Sequence, residues 1–387
     1  MFQIIKPNTN FDFIGNRHKF EIISAILLLS SIALVATKGL NWGIDFAGGY
    51  EFQVKFPKAV SAENVQKAVD KAGVGGVIVQ SIGDTDGNEY LLRIEKHAGV
   101  DPKQVEAARG ALKSDTLKEF SYNEEAPDRI RIVFTADPGA AVVQDAFTKQ
   151  NLTVKTVQKS ARDDRAEYTV SLKSVADAVD AALHKELGIA ADVVIAERVD
   201  FVGPQVGKQL REQGLWAVLA AFGFMLLYIA FRFDFYFGPV AIRCLFYDTL
   251  VTIGAYALTG KEFNLTSIAA LLTIVGYSMN DTIVIFDRIR ENNVRMRGRE
   301  LEGIVNSSLN ETLSRTILQT AVTQLVVIAM WALGGGVLSD FGFALFVGFT
   351  VATFSSISIS APLYIFLRKK FDPSLAESKT VAPAAGR

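Results

Sequence analysis

Residues 262–292 read EFNLTSIAALLTIVGYSMNDTIVIFDRIREN. Within this stretch, 265–286 is apolar for long enough to cross about 30 Å of hydrocarbon, which takes roughly 20 helical residues. Asp281 sits inside it, after Ser278 and Asn280, and it closes on the charged step Asp287-Arg288. An ionisable group there costs roughly 2.5–3.5 kcal/mol on insertion scales, so it needs a partner or a wet cavity. Five more runs are long enough to span, at 20–37, 215–231, 237–258, 313–333 and 341–367. The chain therefore reads as an integral membrane bundle of six helices.

Half of the 387 residues are hydrophobic and only 21% are charged, which argues against an ordinary soluble enzyme. A formal charge of −1 lacks the basic excess that phosphate binding needs, so no nucleic-acid partner is expected. One cysteine, Cys244, and three histidines make neither a disulfide framework nor a metal cluster. Neither G-x-S-x-G, a P-loop nor H-E-x-x-H is present, so no catalytic site and no cofactor are expected. The first run follows Arg17, His18 and Lys19 like a signal peptide, but Thr37-Lys38-Gly39 is a poor cleavage site and the run is read as a retained helix.

Basic residues resist translocation and so set orientation. Lys6, Arg17, Lys19, Arg232, Arg288, Arg290, Arg295, Arg297, Arg299, Arg368, Lys369 and Lys370 all fall on one side when six helices zigzag. The expected layout is a cytoplasmic segment 1–19, a helix at 20–37, an exterior domain at 38–212, five helices over 215–367 and a cytoplasmic tail 368–387. The exterior segment carries about 23 basic and 27 acidic residues, so it is mildly acidic. Its strands and helices, with a turn at 84–88 and a helix at 102–118 among them, alternate in an order that repeats, which suggests an α+β domain of two ferredoxin-like units in tandem at 50–122 and 128–200, with a single irregular domain as the alternative.

Four ionisable residues lie in the spans: Asp281, Arg315, Asp248 and Arg243. Asp281 is six residues, about 9 Å, from the cytoplasmic boundary at Asp287. Arg315 begins the fifth span and can extend along its helix, so the two charges can meet in the cytoplasmic half. Arg315, Gln319, Thr320 and Thr323 share one helical stripe, a polar track suited to a file of water. A blander reading stays open, in which Arg315 snorkels to headgroups and Asp281 is satisfied by Asn280 or Thr282. Arg243 reads as a snorkelling residue, Asp248 as a deeper acid able to take up a proton, and the five-arginine loop as a topology anchor facing anionic lipid.

The runs NWGIDFAGGYEF, VGPQVGKQLREQG, EFNLTSIAALLTIVGYSMNDTIVIFDRIREN and NETLSRTILQT closely resemble the SecF family of bacterial protein-export membrane proteins, a branch of the resistance-nodulation-division architecture. The family motif falls on Gly43, Asp45, Gly48, Gly49, Gly203, Gly276, Asp287 and Arg288. The resemblance implies a subunit of the bacterial inner membrane, with its large domain periplasmic, that works with SecD. It further implies use of the proton-motive force to draw unfolded preproteins from the SecYEG translocon, in contact with membrane lipid. It places Asp281 and Arg315, with Asn280 beside them, on the proton pathway. Asp248 matches a family acid normally preceded by histidine, where this chain has Tyr247. The exterior segment is longer than the resemblance leads one to expect, as though one unit were duplicated. Two other classes remain open: a half-transporter for a small molecule or lipid, and a passive membrane scaffold.

Overall fold

The structure, a computed structural model, describes residues 10–72, 74, 76–81, 88–94, 102–112, 116–123, 128–160, 166–190, 193, 195–232 and 236–371. Lys6, the turn expected at 84–88 apart from Asn88, and most of the tail 368–387 lie outside the described residues. In chain order, α1 (Arg17–Lys38) leads to β1 (Asn41–Trp42), α2 (Ile44–Ala47), β2 (Gly49–Lys55), α3 (Ala62–Asp70), β3 (Val77–Ser81) and β4 (Glu89–Ile94). Next come α4 (Pro102–Ala111), β5 (Leu117–Tyr122), β6 (Arg129–Phe134), α5 (Ala140–Thr148), β7 (Val154–Lys159), β8 (Ala166–Leu172), α6 (Val175–Leu187) and β9 (Ala196–Val202). The chain then runs through α7 (Pro204–Arg232), α8 (Phe237–Thr259), β10 (Glu262–Phe263), α9 (Leu265–Arg295), α10 (Leu301–Leu333), α11 (Gly336–Ser358) and α12 (Ser360–Phe371). Two compact units result, one of residues 1–43 with 211–387 and one of 44–210.

The first unit is the helix bundle. Six helical stretches of the described residues are long and apolar enough to cross a membrane: 17–38, 205–232, 237–259, 265–295, 301–333 and 336–371. The protein is thus a multi-pass membrane protein. α10 runs unbroken from Leu301, as the sequence suggested, and α9 continues nine residues past the expected end at 286. The sixth span is broken at Ile359, because Pro362 has no N–H to give and crowds the carbonyl one turn back. α8, α9 and α11 form the buried centre, whereas α1 and α10 leave most of their apolar surface open. Asn264 caps α9 reciprocally with Ser267, which fixes where that helix starts.

The second unit holds two four-stranded antiparallel sheets, and their pairing corrects the tandem division at 50–122 and 128–200. One sheet runs β3-β4-β2-β9 and the other β5-β6-β8-β7. β2 pairs with both β4 and β9, so the first sheet closes only with a strand more than a hundred residues downstream. With α3 and α6 it makes a complete ferredoxin-like unit, and the second sheet with α4 and α5 is inserted between β4 and α6. The inserted unit has the same strand arrangement with its chain order circularly shifted, which explains the apparent repeat. The segment expected as helix 102–118 ends at Ala111, and β5 follows. Its apolar residues Val105, Ala108 and Leu112 fit a helix, and the charged Lys113 to Lys118 carry no period to stop it.

Each sheet buries alternate residues against its helices. Phe52, Val54, Leu92 and Ile94 meet Val65, Val69, Val179 and Leu183. Ile130, Ile132, Tyr168 and Val170 meet Val105, Val143 and Phe147. Beside the second core, Asp137 accepts hydrogen bonds from Lys159 at 2.5 Å, the Gly139 amide at 2.8 Å and the Tyr168 hydroxyl. These donors hold the Asp137 carboxyl well below the usual carboxylate range, while burial and then Asp137 push Tyr168 up to about 12.

Two predictions follow from packing and charge. A Cβ on Gly254 of α8 would lie 2.3 Å from the Ser31 Cβ of α1. Gly254→Val should therefore lower thermal stability in detergent by about 1–3 kcal/mol. Gly223→Val, at an open position on α7, should be tolerated, and equal effects from the two would contradict the close approach. Asp137 ionises at lower pH when folded than when unfolded, where the ordinary value is about 3.9. Its contribution is therefore full above that pH and lost as pH falls towards the folded value. Asp137→Asn should speed hydrogen exchange in β6 and β8 several-fold at pH 6, and the ratio to wild type should shrink at pH 3. A constant ratio would refute the linkage.

Candidate functional site

α9 carries the site because its successive turns present polar groups to three neighbours. Towards α8 and α11, the Ser278 hydroxyl donates to Asp248 Oδ2, and Ser355 faces the same carboxylate. Thr252 donates to the Asp248 carbonyl at 2.7 Å, and Thr282 meets Ser356 of α11 at 3.2 Å. Asp248, Ser278, Thr282, Ser355 and Ser356 are all essentially inaccessible. Among the described residues, Asp248 Oδ1 has no hydrogen-bond partner. The Ser278 and Ser355 hydroxyls supply the donors that a carboxylate buried this deeply needs.

Towards α10, Asp281 is 1% exposed, and its Oδ2 also lacks a hydrogen-bond partner among the described residues. Arg315 acts on Asp281 electrostatically without closing to an ion pair. One turn before Asp281, the Tyr277 hydroxyl donates to Thr320 at 3.0 Å, and Thr320 meets Thr353 of α11 at 2.9 Å. Thr323 also faces Tyr277, although its hydroxyl donates to the Gln319 carbonyl at 2.9 Å. The structure thus brings Asp281, Arg315, Thr320 and Thr323 together around Tyr277, with Gln319 contributing its backbone. Neither Asn280 nor a side-chain bond from Thr282 satisfies Asp281, since Thr282 is engaged with Ser356.

Asn280 lies elsewhere. One residue is about 100° of helix, which turns it away from Arg315. With Gly276 and Ile283 it lines a groove of about 510 Å³ against Phe224, Met225 and Tyr228 of α7. Arg243 is exposed on α8. Tyr247, where the resemblance led to the expectation of histidine, is buried and faces Ser24 of α1.

Two arginines in the last turns of α9 are engaged with α10. Arg288 and Arg295 both donate to Glu311 of α10, the latter at 2.7 Å, and Asn292 reaches Glu311 at 2.9 Å and Ser308 at 3.0 Å. Asp287 pairs with Arg232 at 3.7 Å. Asn306 and Asn310 bind the backbone of Phe11 and Phe13, and Glu302 joins Arg17 at 3.0 Å to Lys369 at 2.7 Å. Sequence reasoning missed Tyr277, Asn292, Glu302, Asn306, Asn310, Glu311 and Thr353. Glu311, four residues before Arg315 and on the same helical face, carried the one usable signal.

The remaining motif residues sit at close backbone approaches. Gly43 donates to the Phe263 carbonyl at 2.9 Å, and a Cβ there would meet Asn264 Cβ at 2.9 Å. Trp42 and Asn41 continue this contact as β1 pairs with β10. In the other unit, Gly48 and Gly49 take positive φ of 74° and 126° after Asp45 and the short α2. Gly203 accepts from the Gly207 amide at 2.9 Å, starting α7. A Gly207 Cβ would lie 3.2–3.3 Å from Gly48 N and the carbonyls of Asp45 and Phe46. Among the described residues no cluster of histidine, cysteine or carboxylates could hold a metal.

Residues 184–370 match the family model of the protein export membrane protein SecD/SecF C-terminal region, and 33–60 match that of the SecD/SecF GG motif. The protein translocase subunit SecF of Koribacter versatilis is 34% identical over 388 residues, covering 92% of each chain. The chain belongs to the SecD/SecF family. SecF of Magnetococcus marinus is also 34% identical, over 97% of this chain and 99% of its own. The crystal structure of SecDF from Thermus thermophilus, a translocon-associated membrane protein, superposes with a TM-score of 0.64 at 28% identity. That match covers 94% of this chain and 39% of the SecDF chain, so the present chain spans about two fifths of its length. The likeness carries a SecF-type function in protein export.

The GG-motif contact with the start of α7 is testable. Gly207→Val should loosen it, raising hydrogen exchange of the α2 amides several-fold while β6 and β8 in the inserted unit keep their protection. Unchanged exchange in α2 would show that the approach does not constrain it.

Proposed function

We propose that this SecF-type subunit works with SecD in the bacterial inner membrane, using the proton-motive force to promote export of unfolded preproteins through SecYEG. Both ends of the chain lie in the cytoplasm, and the unit 44–210 is periplasmic. The observation that carries this reading is a buried carboxylate, Asp281, under the influence of Arg315 and flanked by a linked row of hydroxyls. The basic ends of α9 and α12 support the orientation.

Chemically, the pair is a charge switch. With Asp281 ionised, Arg315 is drawn to it. A proton on the carboxylate removes that attraction and frees α10 to move against α9. A membrane potential of 100 mV is worth roughly 2.3 kcal/mol per charge, enough to bias two packings that differ by a few kcal/mol. The hydroxyls of Tyr277, Thr320 and Thr353 give the proton or a water file places to bond. Asp248 supplies a second acid against the adjacent face of α9, linked through Ser278.

A half-transporter for a small molecule or lipid has one feature in its favour, the groove between α7 and α9 holding Asn280. Co-purification with SecD and SecYEG separates export from efflux, and proton flux in reconstituted vesicles separates both from a passive scaffold. In vesicles with SecD and SecYEG, Asp281→Asn and Arg315→Gln should each abolish the potential-dependent part of preprotein export, at least tenfold, with membrane insertion intact. Full potential-dependent export in both variants would eliminate the switch.

A further inference from the structure

We propose that Glu311 is a positioning residue that sets the register of α10 against α9 and so holds Arg315 within reach of Asp281; this rests on the reading of that pair as the charge switch. Glu311 collects three donors, and all come from α9: Arg288, Asn292 and Arg295. Asn292 is fully buried and also grips Ser308, one turn before Glu311 on α10. Two consecutive turns of α10 are thereby fastened to one face of α9. The charged groups here are Arg288, Glu291 and Arg295 from α9, with Glu291 paired to Arg288 on its own helix.

Helix arithmetic links this clamp to the switch. α9 and α10 run in opposite directions, so from the clamp the path into the bundle leads back along α9 and forward along α10. Asp281 lies seven residues from Arg288, about 10 Å, and Arg315 lies four residues from Glu311, about 6 Å. The shortfall of about 4 Å is within the length of an arginine side chain. A slip of one helical turn would move Arg315 by about 5 Å and break the match. Asp281 is met by Arg315 from α10 and Tyr277 from its own helix, with Thr353 of α11 behind Thr320, so no other cation among these neighbours replaces a displaced Arg315. Glu302 makes an ion-pair hub of similar kind on the same helix, but to Arg17 and Lys369 rather than to α9, and serves as the control.

The test uses the full chain reconstituted with SecD in vesicles. Spin labels at Val294 and Val322, exposed positions on α9 and α10, report the register in a Cys244→Ala background. Glu311→Gln should broaden or shift the distance and displace the pH midpoint of proton uptake in the same direction as Arg315→Gln, by half a unit or more. Glu311→Asp, which keeps the charge, should restore most of both. Glu302→Gln should change neither. If Glu311→Gln leaves distance and midpoint in place while Arg315→Gln moves the midpoint, the positioning role is overturned and the switch stands. If Arg315→Gln itself leaves the midpoint unmoved, the switch reading falls, and the distance alone then decides whether Glu311 sets the register.

Discussion

A carboxylate inside a hydrocarbon-spanning bundle cannot be left to water, and the arrangement of α8, α9, α10 and α11 answers that constraint. α9 is apolar where it packs and polar along two adjacent faces, so Asp248 and Asp281 are served from different sides of one helix. Each acid keeps one oxygen without a hydrogen-bond partner among the described residues. Structural pairs in a low-dielectric interior are normally saturated, because an unsatisfied charge there costs several kcal/mol. In the proposed switch, the oxygen of Asp281 so left is where a proton can bind.

The basic ends of the helices show the opposite design. Glu302, Glu311, Asn306 and Asn310 are fully engaged, tying α10 to α1, α9, α12 and the chain before α1. A rigid, polar anchorage below and a sparsely satisfied acid above give α10 a fixed end and a responsive middle. In the switch proposed here, that combination is what turns a change of charge into a change of helix packing. α10 also leaves most of its apolar surface open, consistent with a helix whose neighbours include lipid or another subunit.

Much of this was legible in the sequence, for identifiable reasons. Spans were readable because hydrophobic length is a one-dimensional property, and Asp281 with Arg315 stood out because charges in such runs are rare. The exterior unit was legible by element but not by connection. β2 chooses β9 as a partner across an inserted domain, and a local pattern holds no information about so distant a pairing. β5 was hidden because Val105, Ala108 and Leu112 satisfied helical spacing and nothing nearby ended it. Asn280 was grouped with Asp281 because the two are adjacent in the chain, whereas adjacency on a helix turns side chains about 100° apart. Glu311 and Asn292 escaped notice because a charge near a membrane boundary reads as solvated until its partners are known.

The central claim is that Asp281 takes up a proton under the control of Arg315. Infrared difference spectroscopy on vesicles, recorded across a pH step, tests it most directly. A protonated-carboxyl C=O band should appear on acidification, vanish in Asp281→Asn and shift its pH midpoint in Arg315→Gln. A band that persists in Asp281→Asn, or a midpoint indifferent to Arg315, would contradict the account.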